Sequence, residues 1–516
     1  MPSKIFSCAN VGLNPQLIEV ETDISYGLKS FDIVGLPDKA VEESKDRVRT
    51  ALKSCGFKPP LAKPEKVLVN LAPADLKKEG ALYDLPIALS YLLNSRQVQF
   101  KSDDKVFAGE LSLDGRVRPI KGALLFSQKA EEDGFTEIIV PKANAEEASL
   151  CLLKKPEQDF KIIGIENLSQ AINYLTGKEQ INPCFPELNQ SQRTDADKIS
   201  LDWIKGQDYA KRAMTIAAAG AHNLLMLGPP GGGKSLLAKA LPSILPPISR
   251  QEMLELTKIY SVTGLLTREK PIVRTRPFRA AHHTASLASI IGGGNPIKPG
   301  EITLSHRGVL FLDEFPEFRR DVIEALRQPL EDGAITIMRA GHQLNLPCKF
   351  SLIAASNPCP CGFLNDPINN CSCSPSQIAK YRRKLSGPII DRIDIFVDLP
   401  PVKFEKLESK EENKTEETRN LVINAREKQK QRLKQDKMLT NNEMQIPQIK
   451  KYCQVDSIAK NILRNYVDSG RLSARGYHRV LKVARTIADL ENSNNILTEH
   501  INEALMYRSR QKNGNQ

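Results

Sequence analysis

Two hydrophobic periods alternate along the chain. Leu17-Ile-Glu-Val-Glu21 alternates apolar and polar side chains as a strand with one buried face does, and Lys66-Val-Leu-Val-Asn70 is another strand candidate. Val41 to Leu52 carries apolar residues at helical spacing among charges, Leu85 to Leu93 predicts an apolar helix, and runs near Val106 and at Ile138-Ile-Val140 predict further strands. Residues 1–175 therefore read as a domain of mixed α and β structure with its own core. Periodicity stops over residues 176–199, where polar residues surround Pro183 and Pro186, and this stretch reads as a linker. Over residues 200–400 short, largely apolar runs (Leu224–Leu227, Val309–Leu312, Phe350–Ser356) predict strands buried on both faces, as in an α/β core with a parallel sheet. The pattern then turns helical over residues 401–510. Lys and Glu alternate before Leu421-Val-Ile-Asn-Ala-Arg426, and Ser473 is placed to cap a helix whose buried face is Val480, Leu481, Ala484 and Ile487. Residues 511–516 read as a disordered tail.

Composition adds limits. A chain of 516 residues is long enough for about three domains. The net charge of +12 favours a polyanionic partner, although a basic, solvated surface accounts for it equally well. No charged-then-apolar leader pattern is visible, and no apolar run approaches the roughly 18 residues of a membrane span. The ten cysteines are scattered apart from one cluster of four, unlike a secreted disulfide framework, so a reducing, cytoplasmic compartment is expected.

The chemistry begins where the Leu224–Leu227 strand ends. Gly228-Pro229-Pro230-Gly231-Gly232-Gly233-Lys234-Ser235 fits G-x-x-x-x-G-K-[ST], with an apolar helix starting behind it. Glycines let backbone N–H groups curl around phosphate oxygens, and the helix N-terminus adds its dipole. Lys234 supplies a point charge to the β- and γ-phosphates, and Ser235 offers a hydroxyl to Mg²⁺. The second apolar strand delivers Asp313 and Glu314 at its C-terminal edge, Asp313 as a Mg²⁺ ligand and Glu314 to orient and deprotonate the attacking water. The third ends at Asn357, whose amide can bond both that water and the γ-phosphate. Arg392, in Asp-Arg-Ile-Asp394, can neutralise transition-state charge from a neighbouring subunit; an ion pair with Asp391 or Asp394 is the plain alternative. These residues predict ATP and Mg²⁺ as cofactors and hydrolysis as the reaction.

Four thiols, Cys359, Cys361, Cys371 and Cys373, form C-x-C-x₉-C-x-C between Asn357 and a helix starting near Gln377. Four thiolates can hold a structural Zn²⁺, but the C-x-C spacing is tighter than usual and a reduced, metal-free loop is the alternative. Arg274, Arg276, Arg279 and Lys298 lie in a segment read as a projecting loop, 274–307, and Ala334–Arg339 with His342–Leu346 reads as a projecting hairpin turning at residues 340–341. His282 and His283 read as packing or hydrogen-bonding residues.

Two resemblances extend this reading. Val69-Asn-Leu-Ala-Pro-Ala-Asp-Leu-Lys-Lys-Glu-Gly80 and Gly109-Glu-Leu-Ser-Leu-Asp-Gly-Arg-Val-Arg-Pro-Ile120 resemble the proteolytic domain of Lon-type proteases, implying a ribosomal S5 domain 2-like fold. That family works with a Ser nucleophile and a Lys base; the matching positions here are Leu82 and Leu124, which can do neither job. A binding or assembly role is left. From Gln207 to Val397 the chain is similar to magnesium-chelatase-like AAA+ ATPases, carried by Arg276-Pro-Phe-Arg-Ala-Ala-His-His-Thr284, Gly292-Gly-Gly, Pro299-Gly-Glu301, Leu326-Arg-Gln-Pro-Leu-Glu331 and Asn357-Pro-Cys-Pro-Cys-Gly362. Ala281, where Pro is expected, and Ser356, where Met is expected, depart from the pattern without touching phosphate chemistry.

With both parts together the whole chain resembles the ComM/YifB family. The resemblance implies an AAA+ core with a C-terminal helical lid, a hexamer, and an ATP-driven helicase that branch-migrates DNA during natural transformation and homologous recombination. It implies sequence-independent DNA contacts through the projecting segments, and a nucleotide-sensing arginine in the lid at Arg475, with Arg479 as second choice. A metal-insertion motor like magnesium chelatase, or a chaperone-like ATPase, are the alternatives.

Overall fold

The computed structural model describes residues 2–153, 159–186, 199–294, 298–339, 342–364, 366, 369–384, 387–401 and 414–508. The expected tail at 511–516, most of the linker and the hairpin turn at 340–341 lie outside them. The chain forms two compact units, Met1–Gln192 with Ser249–Arg274, and Arg193–Ile248 with Thr275–Gln516.

The first unit is built on a mixed sheet of β1 (Ser3–Val11), β2 (Asn14–Tyr26), β3 (Ser30–Val34), β4 (Glu65–Ala72), β5 (Lys105–Phe107), β8 (Glu137–Pro141) and β9 (Lys161–Ile165), with β6 (Glu110–Leu111) and β7 (Val117–Arg118) forming a separate hairpin. The strand order is β3-β4-β2-β1-β5-β8-β9, antiparallel at β1/β2 and β2/β4 and parallel elsewhere. The period-two alternation predicted for β2 is met by buried Ile18, Val20 and Thr22. Ile5, Val20, Val67 and Leu71 pack in one cluster with Val48 and Leu52 of the Ser44–Ser54 helix and Leu85 and Leu89 of the Asp84–Asn94 helix. Cys8, Val106, Ile138 and Ile162 pack in a second cluster with Leu124 and Phe126 of the Ala123–Glu132 helix. Leu82 and Leu124 both join that apolar cluster. Ser90 is buried with its hydroxyl on Ser3, and Lys121 is exposed.

The helix Arg250–Thr263 belongs to this unit, although its sequence lies between the P-loop helix and the next strand of the other unit's sheet. A capping box of Ser249 and Glu252 starts it, and Gly264 in the left-handed region (φ 72°) ends it. Leu254 and Ile272 enter the second cluster, and Ser261 donates to the buried Glu147 carboxylate.

The second unit holds β10 (Leu224–Leu227), β11 (Phe278–Ala281), β14 (Val309–Leu312), β17 (Ser351–Ser356) and β18 (Ile395–Asp398) in the order β11-β14-β17-β10-β18, all parallel. β12 (Gly292–Gly293) pairs with β13 (Lys298–Pro299), and β15 (Ala334–Arg339) with β16 (His342–Pro347) as an antiparallel hairpin. The three largely apolar runs occupy the interior of the five-stranded sheet, as burial on both faces requires. Segment 274–307 differs from the projecting loop expected of it. Phe278–Ala281 is the sheet's edge strand, with Phe278 stacked on Phe311 at 6.1 Å between ring centroids. Leu224, Leu237 and Val397 share one core with Val422 of the Thr415–Arg432 helix and with Val480, Leu481, Ala484 and Ile487 of the Ala474–Leu490 helix.

Candidate nucleotide site

Strand order decides what meets what. Because β10 lies between β17 and β18, and β14 lies beyond β17, the ends of three adjacent parallel strands bring the P-loop, Asn357 and Asp313 to one sheet edge. At Gly228 the chain passes so close to β18's continuation that a Cβ would stand 2.7 Å from the Leu399 carbonyl oxygen. Gly233, at φ 84°, turns the loop into the Lys234–Ile244 helix. Both positions exclude a side chain for reasons independent of phosphate.

Lys234 is buried, and its ammonium donates to the carbonyl oxygens of Gly228 (2.7 Å) and Pro229 (2.8 Å) and to Asn357 Oδ1 (3.0 Å). Burial lowers its pKa, and the nearby carboxylates of Asp313 and Glu314 only partly offset that. Ser235 Oγ donates to Asp313 Oδ2 at 2.6 Å, so the two groups read as Mg²⁺ ligands are adjacent. Glu314 stands in the left-handed region at φ 51°, a conformation that costs a residue with a Cβ roughly 1–2 kcal/mol, and its Oε2 lies 3.0 Å from His283 Nδ1. His283 also stacks on His282 at 4.2 Å between centroids.

Arg392 is buried and bound within its own chain. It pairs with Glu331 and donates to the Pro388 carbonyl at 2.5 Å, rather than meeting Asp391 or Asp394. Asp394 instead receives Arg479 Nη1 at 2.5 Å and the Asn223 backbone N–H at 2.8 Å. Burial alone would raise the Asp394 pKa, but Arg479 and His222 hold it well below the ordinary carboxylate range. Arg479 is therefore engaged, while Arg475 is exposed in the first turn of the Ala474–Leu490 helix.

Asn223 was not singled out by the sequence, yet it fastens three strands. Its Oδ1 accepts from Leu352 N (2.9 Å), its Nδ2 donates to Arg392 O (3.0 Å), and its own carbonyl accepts from Asp394 N and Ile395 N, each at 3.0 Å. Its one legible signal is a polar residue directly before an apolar strand.

The four cysteines converge. Sγ···Sγ separations are 3.4 Å for Cys359–Cys361, 3.7 Å for Cys359–Cys371 and 3.5 Å for Cys361–Cys371, and all four sulfurs lie within 4.8 Å of one another. Zn–S bonds of about 2.3 Å in a tetrahedron require S···S edges of about 3.8 Å, so this donor set fits zinc. Among the described residues it is the one group of three or more such side chains positioned for a metal.

Two arginines read as phosphate contacts are occupied. Arg276 donates to the carbonyls of Pro246 (2.9 Å) and Arg307 (2.7 Å), and Arg279 binds both carboxylate oxygens of Glu301 at 2.6 and 2.7 Å. Lys298 is exposed, as is Met338 on the β15–β16 hairpin.

Residues 200–407 match the family model described as magnesium chelatase, subunit ChlI; residues 20–144 match that of subunit ChlI of Mg-chelatase, and residues 412–508 that of the subunit's C-terminal part. Competence protein ComM of Haemophilus influenzae is 40% identical over 515 residues, covering 98% of this chain and 97% of that protein. YifB of Escherichia coli K12 is 39% identical over 517 residues, covering 98% and 97%. Among the described residues no helix is long and apolar enough to cross a membrane. Three consecutive magnesium-chelatase models and identity of this extent along almost the whole chain show that it belongs to the ComM/YifB family of magnesium-chelatase-like AAA+ proteins.

Proposed function

We propose that this chain is an ATP-hydrolysing AAA+ motor that acts on DNA as a hexameric ring, promoting branch migration during natural transformation and recombination. The observation that carries the ATPase half is the meeting of Lys234 with Asn357 and of Ser235 with Asp313 at the edge of a five-stranded parallel sheet. Gly228 to Ser235 cradle the triphosphate; Lys234 binds its β- and γ-phosphates; Ser235 and Asp313 hold Mg²⁺. Glu314 activates water, Asn357 positions it, Arg392 acts on a neighbouring subunit's ATP, and Arg475 senses nucleotide from the lid. Zn²⁺ on Cys359, Cys361, Cys371 and Cys373 is structural, since four protein ligands leave no open position.

We read residues 200–400 as the AAA+ core, 401–510 as the lid and 1–175 as a Lon-like domain without its catalytic pair, serving binding or assembly. Support for the DNA half is the competence for which the Haemophilus relative is named, the net charge of +12 and the exposed side chains of Lys298 and of Met338 on the β15–β16 hairpin, whose Ile335, Ile337, Leu344 and Leu346 are buried. Unwinding or branch migration of a three-strand junction with ATP tests it. Failure of forked or junction DNA to bind, or to accelerate hydrolysis at low salt, would remove the helicase reading. The magnesium-chelatase models favour one second reading, a metal-insertion motor; ATP turnover stimulated by a porphyrin substrate and indifferent to DNA would establish it.

A further inference from the structure

The cysteine cluster and the phosphate site share one short piece of backbone. Asn357 follows β17 directly, and Cys359, Cys361 and Gly362 come within the next five residues. At one end Asn357 Oδ1 accepts from Lys234. At the other, Gly362 sits at φ 86°, and a Cβ there would stand 2.6 Å from Pro230 Cδ, so its backbone lies directly against the P-loop. Between these two contacts Cys359 is buried and Cys361 half-buried, each within 3.7 Å of the Cys371 sulfur.

The buried Tyr381 hydroxyl bonds Ser356 and the Asn357 backbone at the start of the segment, and beyond Asn357 apolar packing is sparse. The segment's sequence, Asn-Pro-Cys-Pro-Cys-Gly, offers no large apolar side chain, and Phe363 and Leu364 beyond it are only half-buried. A hydrophobic core does not hold this strap; a cross-link between Cys359/Cys361 and Cys371/Cys373 would. Zn²⁺ bound there would be held by the four sulfurs as thiolates, closing the chain between Cys359/Cys361 and Cys371/Cys373 into a ring whose near side is Asn357 and Gly362.

We propose that zinc at this site is a positioning element for nucleotide binding: it holds Asn357 and the Gly362 backbone against Lys234 and Pro230, so that metal occupancy sets affinity for ATP. This rests on the ATPase reading above and deepens it. Asn357 touches the phosphate-binding lysine; the cysteines act through Asn357 and Pro230.

The test uses the full chain, with zinc measured by elemental analysis and Mg·ATP affinity by a fluorescent, slowly hydrolysed analogue. Wild type from zinc-supplemented, reducing culture is expected to hold one zinc per chain. The Cys371→Ser/Cys373→Ser variant, altered on the side away from the P-loop, is expected to lose zinc and to bind nucleotide about tenfold more weakly, the equivalent of about one charge-assisted hydrogen bond. Gly362→Ala is expected to keep its zinc, because all four thiols remain, and to weaken nucleotide comparably, because its Cβ is driven into Pro230 and its backbone is strained at φ 86°. Wild type stripped by a zinc-selective chelator, freed of chelator and resupplied with zinc, is expected to recover its affinity, which a folding defect would not allow. A zinc-free, folded variant or stripped wild type that binds nucleotide as tightly as the loaded protein overturns the inference. Absence of zinc from wild type overturns the metal assignment beneath it. Wild type that binds zinc and no nucleotide overturns the ATPase reading instead.

Discussion

Asn223 is the residue whose removal separates the site's framework from its chemistry. Replacement by Ala deletes two buried hydrogen bonds, from Leu352 N and to Arg392 O. Neither backbone group can reach water, since Leu352 is fully buried and Arg392 only 6% exposed. Two unsatisfied buried groups at roughly 1–3 kcal/mol each give a loss of about 2–6 kcal/mol. For a unit of this size that corresponds to a fall in thermal midpoint of roughly 4–12 °C. Asn223→Asp makes the comparison sharper. It keeps an acceptor for Leu352 N but loses the donor to Arg392 O and sets a carboxylate beside Asp394, whose oxygen already receives the Asn223 N–H. Urea or thermal denaturation reads the stability; nucleotide binding and phosphate release read the function. The expected pattern for the Asp variant is retained ATP binding, because the P-loop is untouched, with hydrolysis reduced through a displaced Arg392 backbone. A midpoint within 1–2 °C of wild type for Asn223→Ala, roughly what a surface substitution causes, would refute the reasoning.

Three further outcomes follow from the same geometry. Glu314→Gln is expected to bind ATP normally and to lower turnover by about 10²-fold or more, the usual size of a general-base contribution; normal phosphate release would take Glu314 out of that role. Arg392→Ala and Lys234→Ala are each expected to be inactive, and their mixture to regain hydrolysis, because some interfaces then pair an intact Lys234 with an intact Arg392; a mixture no better than its parts counts against action in trans. Asp394 titrates below its ordinary range in the folded protein, so its contribution to stability is fully present above about pH 3.9 and is lost as pH falls through the lower native value. Asp394→Asn should therefore be destabilised at pH 7, with the gap to wild type closing only as acid unfolding is approached, measured by urea titration at stepwise lower pH.

How much of this was written legibly in the chain depends on the range of the contacts involved. Lys234, Asp313 and Asn357 could be read because each stands at the end of a largely apolar run, and a buried parallel sheet carries such ends to one edge. The cysteines could be read as a cluster from spacing, but the approach of Gly362 to Pro230 could not, because it depends on where β17 lies relative to β10. Asn223 was invisible for the same reason: its value comes from the register that sets Arg392, Asp394 and Leu352 around it. Phe278-Arg-Ala-Ala281 gave no strand signal, being four residues long with a charge inside, and it forms a strand because β14 offers a free edge. Amphipathic spacing marks Arg250–Thr263 as a helix without saying which core receives it, and the receiving core is that of the other unit.

Lys234, Ser235, Asp313, Glu314, Asn357 and Arg392 each have a protein partner, and the kinds of partner suggest how ATP would change them. Lys234 is held by two carbonyls and an amide, all neutral acceptors. A phosphate oxygen is a charged acceptor, roughly twice as strong a partner, so exchange would favour the nucleotide and free Asn357 for the water-positioning role proposed for it. The Ser235–Asp313 bond joins the two groups that would hold the metal ion of the proposed site. Arg392 differs, because its partner Glu331 is charged and its side chain is buried. Leaving Glu331 without another anion to meet would be unfavourable, though less so than the roughly 3–5 kcal/mol for a fully buried pair, because Glu331 itself is 43% exposed. In the proposed ring a phosphate presented by an adjoining subunit would offer a replacement, and Arg392 would then be drawn from Glu331 when a loaded neighbour is in place. Hydrolysis would then be tied to assembly through this one exchange, with each subunit's arginine guarded by Glu331 until a neighbouring ATP competes for it.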